Sequence, residues 1–323
     1  MKVLVTGGAG FIGLPSLALL LQAGHDVVVI DDLSAGTPAG IPAGARLHVA
    51  NVCDADQVDA LLMEERPEVV LHLAALISVR ESVREPGLYI RVNVQGTESV
   101  LRAALHSGAR RFIFASSGGA VYGEPDSLPI PEIHRLQPIS PYGRTKAMAE
   151  DLLSRCDGQM EVVTLRYGNV YGPGQDSSRG NGVVSIFLDS LRRGRRPGVI
   201  GDGGHVRDYV FVEDVARANQ IAVDAKAVGV FNIGTGNGHT VKQVCRKVAD
   251  LLNSHLEPVH QPANAFEVRR SVLDVARART VLGWAATVSL DKGLRLTLRQ
   301  PEASLDAAVA PTDPMPKPPQ EPT

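Results

Sequence analysis

Short apolar runs alternate with helix-like segments through the first half of the chain. The runs are rich in β-branched and aromatic residues, and each has the length of one strand. They are Val3–Val5, Asp26–Ile30, Arg46–Ala50, Glu68–Leu73, Arg111–Ala115 and Val162–Arg166. Because strands buried on both faces are apolar almost throughout, this alternation predicts an α/β fold with a doubly wound parallel sheet covered by helices.

The second half has a different pattern, with fewer strands and with loops rich in glycine and arginine. Its elements are helices near Asp214–Val223, Val241–Leu252 and Asp291–Leu298 and a strand near Val230–Ile233. We predict two domains, residues 1–166 and a smaller C-terminal α/β substrate-binding domain at 167–300, which can exchange segments. The segment 301–323 is rich in Pro, Ala and Asp and has no apolar periodicity, which predicts a disordered tail.

A glycine-rich turn follows the first predicted strand. Gly7, Gly10 and Gly13 recur at three-residue spacing and lead into an apolar helix. In a Rossmann-type sheet the first glycine permits a tight turn, the second lets the backbone approach a pyrophosphate, and the third lets the helix pack on the strand. The phosphates then lie at the positive end of the helix, so the motif predicts a dinucleotide site.

Two carboxylates stand where the second predicted strand ends. Asp31 and Asp32 follow the run Val27–Ile30, about twenty residues after the glycine turn, where dinucleotide-binding folds carry an acidic residue. A carboxylate there accepts hydrogen bonds from a ribose diol and repels a 2′-phosphate. The pair therefore predicts NAD rather than NADP as the cofactor.

Bulk composition narrows the classes of partner. The chain has 323 residues, a formal net charge of -2 and a pI of about 6.5, so neither nucleic acid nor an anionic membrane is expected as a partner. Its three cysteines, Cys53, Cys156 and Cys245, lack metal-ligand spacing, which predicts free thiols and no metal site. With no signal peptide and no apolar run long enough to span a bilayer, we expect a cytoplasmic protein.

The segment Ser140–Lys146 carries a catalytic pattern. Tyr142 and Lys146 are four residues apart at the start of a predicted helix, which places them on one face. A free tyrosine has a pKa of about 10 and is a weak base at neutral pH. A nearby ammonium group lowers that pKa by stabilising the phenolate, and the positive charge of a nicotinamide ring acts in the same direction. Tyr142 is then a candidate general base for a substrate hydroxyl.

Two serines, Ser116 and Ser117, follow the predicted strand Arg111–Ala115. Two serines at a strand end are by themselves typical of a turn. Open α/β sheets, however, place ligands at the carboxyl ends of their strands. A hydroxyl at this position can therefore hydrogen-bond the same substrate oxygen that Tyr142 deprotonates.

Ordered motifs extend over most of the chain. They are Thr6–Gly13, Asp31, His72–Ala75, Asn93–Thr97, Ser116–Gly123, Ser140–Lys146, Leu165–Gly172 and Arg207–Val210. In sequence and spacing they resemble the extended short-chain dehydrogenase/reductases, and among these the UDP-glucose 4-epimerases of the NAD-dependent epimerase/dehydratase family. The resemblance covers about residues 1–300.

The resemblance implies roles for individual residues. Ser117, Tyr142 and Lys146 match the family's catalytic trio, with Ser116 as the alternative to Ser117. NAD is expected to be held by the glycine turn, by loops at the strand ends and by the catalytic helix. The expected cofactor-binding residues are Gly7, Gly10, Phe11, Ile12, Gly13, Asp31, Asp32, Asn51, Val52, Leu73, Ala74, Ala75, Asn93, Ser116, Tyr142, Lys146 and Tyr167.

The implied reaction is epimerisation of a nucleotide sugar at C4. Tyr142 removes the proton of the 4-hydroxyl while C4 gives a hydride to NAD; the 4-keto sugar turns over, and hydride and proton return. Related dehydratases and decarboxylases carry acidic residues just before the Val-Tyr-Gly motif. This chain has Gly118, Gly119 and Ala120 there, which cannot transfer protons, so simple epimerisation is favoured.

Substrate contacts follow from the same resemblance. Ser271 matches a position over the sugar 2-substituent, where a small residue predicts room for UDP-GlcNAc as well as UDP-glucose, unless it merely begins a strand. Gly174 replaces an arginine typical of glucuronate 4-epimerases, which favours a neutral hexose. Asn264 replaces a phosphate-binding arginine, which Arg269 or Arg270 would have to supply, and leaves room for another nucleotide or a modified sugar. The expected substrate-binding residues are Ser117, Tyr142, Asn169, Val183, Ile200, Arg207, Arg269 and Ser271.

Three functions are therefore compared. The first is a homodimeric 4-epimerase that interconverts UDP-glucose and UDP-galactose, and also UDP-GlcNAc and UDP-GalNAc. The second is a UDP-glucuronate 4-epimerase or another NAD-dependent nucleotide-sugar modifying enzyme of a polysaccharide or antibiotic pathway. The third is an NAD-sensing scaffold without catalysis, which the presence of both Tyr142 and Lys146 disfavours.

Overall fold

The computed structural model describes residues 1–156, 158–179, 182–262 and 266–299. The predicted tail at 301–323 lies outside these ranges.

The strands are β1 (Lys2–Thr6), β2 (Asp26–Asp31), β3 (Ala45–Val49), β4 (Val69–His72), β5 (Arg111–Ser117), β6 (Glu161–Tyr167), β7 (Asn169–Tyr171), β8 (Gly198–Ile200), β9 (Val206–Phe211), β10 (Gly229–Ile233), β11 (Gly238–Thr240), β12 (Val259–Gln261) and β13 (Arg270–Ser271). The α-helices are α1 (Gly13–Gln22), α2 (Ala55–Glu65), α3 (Val79–Arg84), α4 (Pro86–Ile90), α5 (Gly96–Ser107), α6 (Pro141–Ser154), α7 (Val183–Arg192), α8 (Val212–Asp224), α9 (Val241–Leu251) and α10 (Leu290–Arg299).

A seven-stranded sheet with the order β10-β6-β5-β4-β1-β2-β3 forms the centre of the molecule. All of its strand pairs are parallel. The sheet confirms the predicted doubly wound α/β fold, and the six strands predicted in the first half lie in it, with ends that differ by one or two residues. The register joins Ser117 of β5 to Tyr167 of β6 at the carboxyl edge.

Alternation along the strands divides the core into two layers. Val3 and Val5 of β1 lie in the cluster with residues of α1 and α8, whereas Leu4 lies in the cluster with α2, α5 and α6. Side chains of successive strand residues point to opposite faces, so each apolar strand supplies both layers. This explains why the predicted strands carry little polar patterning.

The second region surrounds β9. β7, β11 and β13 pair with β9 in a second sheet, and β8 pairs with β12. Side chains of α7, α9 and α10 pack with this sheet in a separate apolar cluster. Across the described residues, no helix has the length and apolar character needed to cross a bilayer.

The chain crosses the boundary predicted near residue 166 more than once. The strand predicted at Val230–Ile233 is β10, which extends the first sheet beside β6. Helix α8 packs on α1, and Asn219 Nδ2 donates a hydrogen bond to Ser16 Oγ at 3.0 Å. Residues 212–233 thus complete the layers around the first sheet.

Candidate active site

The turn between β1 and α1 is shaped by glycines. Gly7 has φ +70, and a Cβ placed there would lie 2.7 Å from the backbone nitrogen of Ala74. A Cβ at Gly13 would overlap the carbonyl oxygens of Gly7 and Gly8. Helix α1 begins at Gly13 with neither a side-chain cap nor an acidic residue in its first turn. The turn is therefore a narrow, uncapped backbone cradle of the kind that accepts phosphate oxygens.

Asp31 lies buried at the end of β2, against this cradle. Its Oδ2 accepts a hydrogen bond from Ala9 N at 2.9 Å, and its Oδ1 accepts one from Leu33 N at 2.9 Å. Asn51 Nδ2 donates to Asp32 Oδ2 at 3.0 Å. Since each carboxylate oxygen has two lone pairs, Asp31 retains acceptor capacity for a ribose diol.

The loop after β4 borders the same cradle, and it contains the predicted residues Leu73, Ala74 and Ala75. Asn93, in a short π-helical turn, accepts from Leu76 N at 2.8 Å and donates to Leu76 O at 2.9 Å and to Thr145 Oγ1 at 3.1 Å. Its amide is thus used to join this loop to α6. The other predicted cofactor residues of this group are half-buried or buried: Phe11, Ile12 and Val52.

Tyr167 is held inside the protein. Its hydroxyl donates to Asn219 Oδ1 at 2.5 Å, Asn219 donates to Ser16 Oγ, and Ser16 donates to Ile12 O at 2.8 Å. This chain of bonds links the end of β6 to the residue that precedes α1. The structure therefore gives the Tyr167 hydroxyl a partner within the protein, next to the elements predicted to hold the cofactor.

The candidate catalytic trio lies at the carboxyl end of β5 and the start of α6. Ser140 caps α6 by accepting from Gly143 N at 3.0 Å, and Tyr142 lies buried in the first turn. Ser117 lies close enough to the Tyr142 side chain to lower the pKa of its hydroxyl. One turn later, Lys146 Nζ donates to Ala115 O at 2.9 Å. The structure thus places Ser117, Tyr142 and Lys146 close together, where β5 ends and α6 begins.

The two serines of β5 point in opposite directions. Ser117 is oriented to Tyr142, whereas the Ser116 hydroxyl donates to the carboxylate of Glu150. Adjacent strand residues alternate faces, so only one of the two can reach Tyr142. The structure places Ser117, and not its alternative Ser116, in contact with the candidate base.

Burial has the largest effect on the pKa values of Tyr142 and Lys146. It raises the pKa of Tyr142 above its usual value, against the lowering effect of the nearby Ser117 hydroxyl. Sequence reasoning from Lys146 alone predicts the opposite direction, and the difference arises because the Tyr142 side chain is withdrawn from water. Burial also lowers the pKa of Lys146 to about 8, although the Glu150 carboxylate opposes this change.

Gly118 and Gly119 separate the trio from the second region. A Cβ at Gly118 would lie 2.8 Å from the Leu273 side chain, so an acidic residue does not fit there without displacement. Ser271, buried at the end of β13, donates to Gly118 O at 3.3 Å. A Cβ at Gly119 would lie 3.3 Å from Asn169 Oδ1 and 4.0 Å from Ser117 Oγ. Ser271 and Asn169 therefore both border the glycine loop that follows Ser117.

The remaining predicted substrate residues lie around β9. Arg207 Nη1 donates to Val206 O at 2.9 Å and to Arg269 O at 3.3 Å, and burial lowers its pKa. A cavity of about 420 Å³ beside them is lined by Glu124, Asp202, Gly204, His205, Arg269 and Arg270. Val183 begins α7 and Ile200 ends β8. Asn264 lies outside the described residues.

Asp208 is a buried carboxylate to which the sequence analysis gives no role. It accepts from Thr235 N at 2.8 Å, from Gly236 N at 3.0 Å and from Leu273 N at 3.3 Å. It thus fixes the segment that follows Ser271 and the loop after β10 to β9. Its position in the Arg207–Val210 motif was the sequence signal that could have indicated a role for it. Among the described residues, no group of three or more His, Cys, Asp or Glu is placed to hold a metal ion.

Comparisons with known proteins agree with this geometry. The family model for the NAD dependent epimerase/dehydratase family matches residues 3–234. A UDP-glucose 4-epimerase with UDP-glucose from Thermotoga maritima is 42% identical, with a TM-score of 0.89, and the match covers 92% of this chain and 97% of that one.

Two further solved structures extend the comparison. A UDP-glucose 4-epimerase from Thermus thermophilus, in complex with NAD, is 38% identical, with a TM-score of 0.88. The match covers 92% of this chain and 98% of that one. A UDP-N-acetylglucosamine 4-epimerase from Methanobrevibacter ruminantium, in complex with UDP-N-acetylmuramic acid, is 30% identical, with a TM-score of 0.86 and coverage of 92% and 96%. In each match the shared fold includes both regions of the chain.

Proposed function

The chain belongs to the NAD-dependent epimerase/dehydratase family, and on that premise we propose that it is an NAD-dependent UDP-sugar 4-epimerase that interconverts UDP-glucose and UDP-galactose. The placement of Ser117 and Lys146 around Tyr142, beside a glycine loop without an acidic side chain, is the observation that carries this proposal. The solved relatives that bind UDP-glucose and NAD support it.

The residues of the glycine turn fit NAD. Gly7 leaves open the space that a Cβ would fill, α1 begins without a cap, and Asp31 offers a carboxylate to a ribose diol. Gly7, the start of α1 and Asp31 would hold NAD, and its nicotinamide would supply a reversible hydride acceptor for C4 of the sugar.

Tyr142 moves the proton of the sugar 4-hydroxyl. The Ser117 hydroxyl lies beside Tyr142 and lowers its pKa, which stabilises the phenolate. Lys146 is fixed on the carbonyl of Ala115, one helical turn from Tyr142, and brings positive charge to this side of the site. Because burial raises the Tyr142 pKa, proton removal depends on these two neighbours. The same hydroxyl returns the proton at the end of the turnover.

The glycine loop argues for epimerisation without elimination. Loss of water from C6 needs a proton donor and acceptor near the trio, and Gly118, Gly119 and Ala120 supply neither. Leu273 fills the space beside Gly118. Gly174 adopts φ +83, a conformation that disfavours a side chain such as arginine. A carboxylate clamp at that position is thus absent, which favours neutral hexoses over a uronate.

We extend the proposed substrate range to UDP-GlcNAc and UDP-GalNAc. Ser271 is small and borders the loop at Gly118, so it leaves space where a larger side chain would meet a 2-acetamido group. The related UDP-N-acetylglucosamine 4-epimerase supports this range. Arg207 and Arg269 are the proposed diphosphate contacts on β9 and next to β13.

A cytoplasmic homodimer completes the proposal. Met148 on α6 and Ile90 at the end of α4 are apolar side chains exposed at 47% and 41% on two helices that contact each other, and pairing of subunits through these helices would bury them. Cys53, Cys156 and Cys245 are free thiols, which suits a reducing compartment. Sedimentation equilibrium tests the dimer, since a monomer mass would contradict it.

The function is tested with purified protein and three separate substrates, UDP-glucose, UDP-GlcNAc and UDP-glucuronate, with and without added NAD. Products are resolved by the anomeric proton signals in NMR. We expect 4-epimers of the first two. Turnover of UDP-glucuronate alone would favour the uronate epimerase. Turnover of none would favour another nucleotide sugar or a scaffold, and would contradict the proposal.

A further inference from the structure

Glu150 is a buried carboxylate that the mechanism above does not use. It lies on α6 one turn after Lys146 and two turns after Tyr142, so the three residues share one face of the helix. Its side chain is only 7% exposed. A buried carboxylate is costly unless it is fully paired, so its partners indicate what it holds in place.

Those partners come from the two strands beneath α6. The Ser116 hydroxyl of β5 donates to Glu150 Oε1. Arg166 of β6 donates from Nε to Glu150 Oε1 at 3.0 Å and from Nη2 to Glu150 Oε2 at 2.5 Å. Ser116 directly precedes Ser117, and Arg166 directly precedes Tyr167. Glu150 is therefore tied to both strands one residue before their carboxyl ends.

Arg166 continues the network into the loop that follows Ser117. Its Nη1 donates to Tyr122 Oη at 2.9 Å and to Glu132 O at 3.0 Å. The Tyr122 hydroxyl in turn donates to Asn232 Oδ1 of β10 at 2.7 Å. The loop from Gly118 to Tyr122, which borders Ser271 and Asn169, is thus fixed at its far end by the same ion pair.

We propose that Glu150 is a positioning residue for the epimerisation, which holds α6 against β5 and β6 so that Tyr142 meets Ser117 and Lys146 stays on the Ala115 carbonyl. This inference rests on the proposed function for its catalytic consequence. The ion pair acts on the opposite face of β5 from Ser117, so Glu150 itself does not touch the reacting atoms.

The charge of Glu150 has a second effect, on Lys146. Among the charged and titratable groups around Lys146, Glu150 acts on its ammonium group, and Lys146 in turn acts on His72. His72 stays uncharged, because burial together with Lys146 lowers its pKa to about 3. Glu150 raises the Lys146 pKa against burial. Loss of its charge is therefore expected to make Lys146 release its proton at lower pH.

The test compares Glu150→Gln with a matched variant, Glu161→Gln. Glu161 pairs with the buried Arg111 across the same two strands at their amino ends, with Nη2 to Oε2 at 2.7 Å. For Glu150→Gln we expect kcat for UDP-glucose to fall about tenfold with little change in KM, and the alkaline limb of the kcat profile to move to lower pH. Glu161→Gln is expected to change neither.

A second measurement does not depend on turnover. The titration of Lys146, followed by NMR of ¹³Cε-labelled lysine and assigned with Lys146→Met, is expected to move to lower pH by about half a unit or more in Glu150→Gln. Ser116→Ala, which removes a hydrogen bond but no charge, is expected to lower kcat without moving the alkaline limb.

Three results would overturn the proposal: an unchanged kcat in Glu150→Gln, an unchanged Lys146 titration, or an equal loss in Glu161→Gln. If Glu150→Gln does not fold, Ser116→Ala with full activity contradicts the positioning role. A wild-type protein that turns over no UDP-sugar would instead contradict the proposed function, and the NMR titration would still decide the effect on Lys146.

Discussion

The two regions that border the candidate active site are built by different means. Around the glycine turn, main-chain atoms form the cradle, and one carboxylate, Asp31, is bonded back to that main chain at Ala9. Around β9 and β13, side chains form the surface: Arg207 donates to Arg269 O, Ser271 donates to Gly118 O, and Asp208 fixes the segment that follows Ser271. A main-chain cradle changes only if the turn changes, whereas a surface of side chains can be altered one group at a time. We therefore expect single substitutions to leave the cofactor specificity unchanged and to alter the sugar specificity.

Replacement of Tyr142 by Phe gives the largest expected effect and belongs to neither region. We expect kcat to fall by about 10²–10⁴-fold, because the proton acceptor is removed. The content of bound NAD and the melting temperature should stay near those of the wild type. Epimerase assays with NMR detection and extraction of NAD measure both. Substantial residual turnover would show that another group takes the proton.

Gly7→Ala tests the main-chain cradle. The new Cβ would combine the strain of φ +70 with an approach of 2.7 Å to Ala74 N, so loss of NAD binding and a lower melting temperature are expected. Gly24→Ala is the matched control, since Gly24 has φ +79 and open space around it. The control should lose about 1 kcal/mol of unfolding free energy and retain NAD. Equal NAD affinity in the two variants would contradict a cradle at Gly7.

Asp31→Ala also tests the NAD cradle, and its expected effect on NAD binding is smaller. It removes the proposed ribose acceptor and the bond to Ala9 N, and we expect NAD affinity to fall by about tenfold or more. Asp32→Ala is compared with it, because Asp32 is also an expected NAD contact but lies in a more exposed position and bonds Asn51, so a smaller loss is expected. Isothermal titration calorimetry on protein from which NAD has been removed gives the NAD dissociation constants of the two variants. Unchanged affinity in Asp31→Ala would remove the ribose assignment.

Ser271→Tyr addresses the side-chain surface and has the most selective effect. The larger ring is expected to block UDP-GlcNAc while UDP-glucose turnover changes by less than about threefold. NAD binding should be unaffected. Competition between the two substrates, followed by NMR, gives the ratio of kcat/KM. A proportional loss for both sugars would show that Ser271 supports the fold and does not select the sugar.

Sequence reasoning succeeds where physical constraints are local. The strands of the first sheet are continuous apolar runs, so their existence follows from residues such as Val3–Val5 and Val27–Ile30. The glycine spacing and the four-residue step from Tyr142 to Lys146 are equally local. By contrast, β7, β8, β11 and β12 are each three residues long, too short for a periodic signal.

Contacts across distant segments have no such local signal. Glu150 and Arg166 are separated by a helix end and a strand, and only the fold shows that they pair. The direction of the Tyr142 pKa was predicted from Lys146 but is set by burial. The addition of β10 to the first sheet also depends on tertiary packing, since an apolar strand fits either sheet equally well by pattern.

Because β10 and α8 come late in the chain but pack on the first sheet, this sheet can complete its folding only late in synthesis. Until residues 229–233 leave the ribosome, β6 is a bare edge whose backbone groups can pair with another chain. Until α8 is made, Ser16 lacks Asn219 and the apolar face of α1 is open to water. A nascent chain that ends near residue 166 is therefore an unfinished nucleotide-binding unit, prone to aggregate. We therefore expect NAD to bind only after residues 212–233 have joined the first sheet.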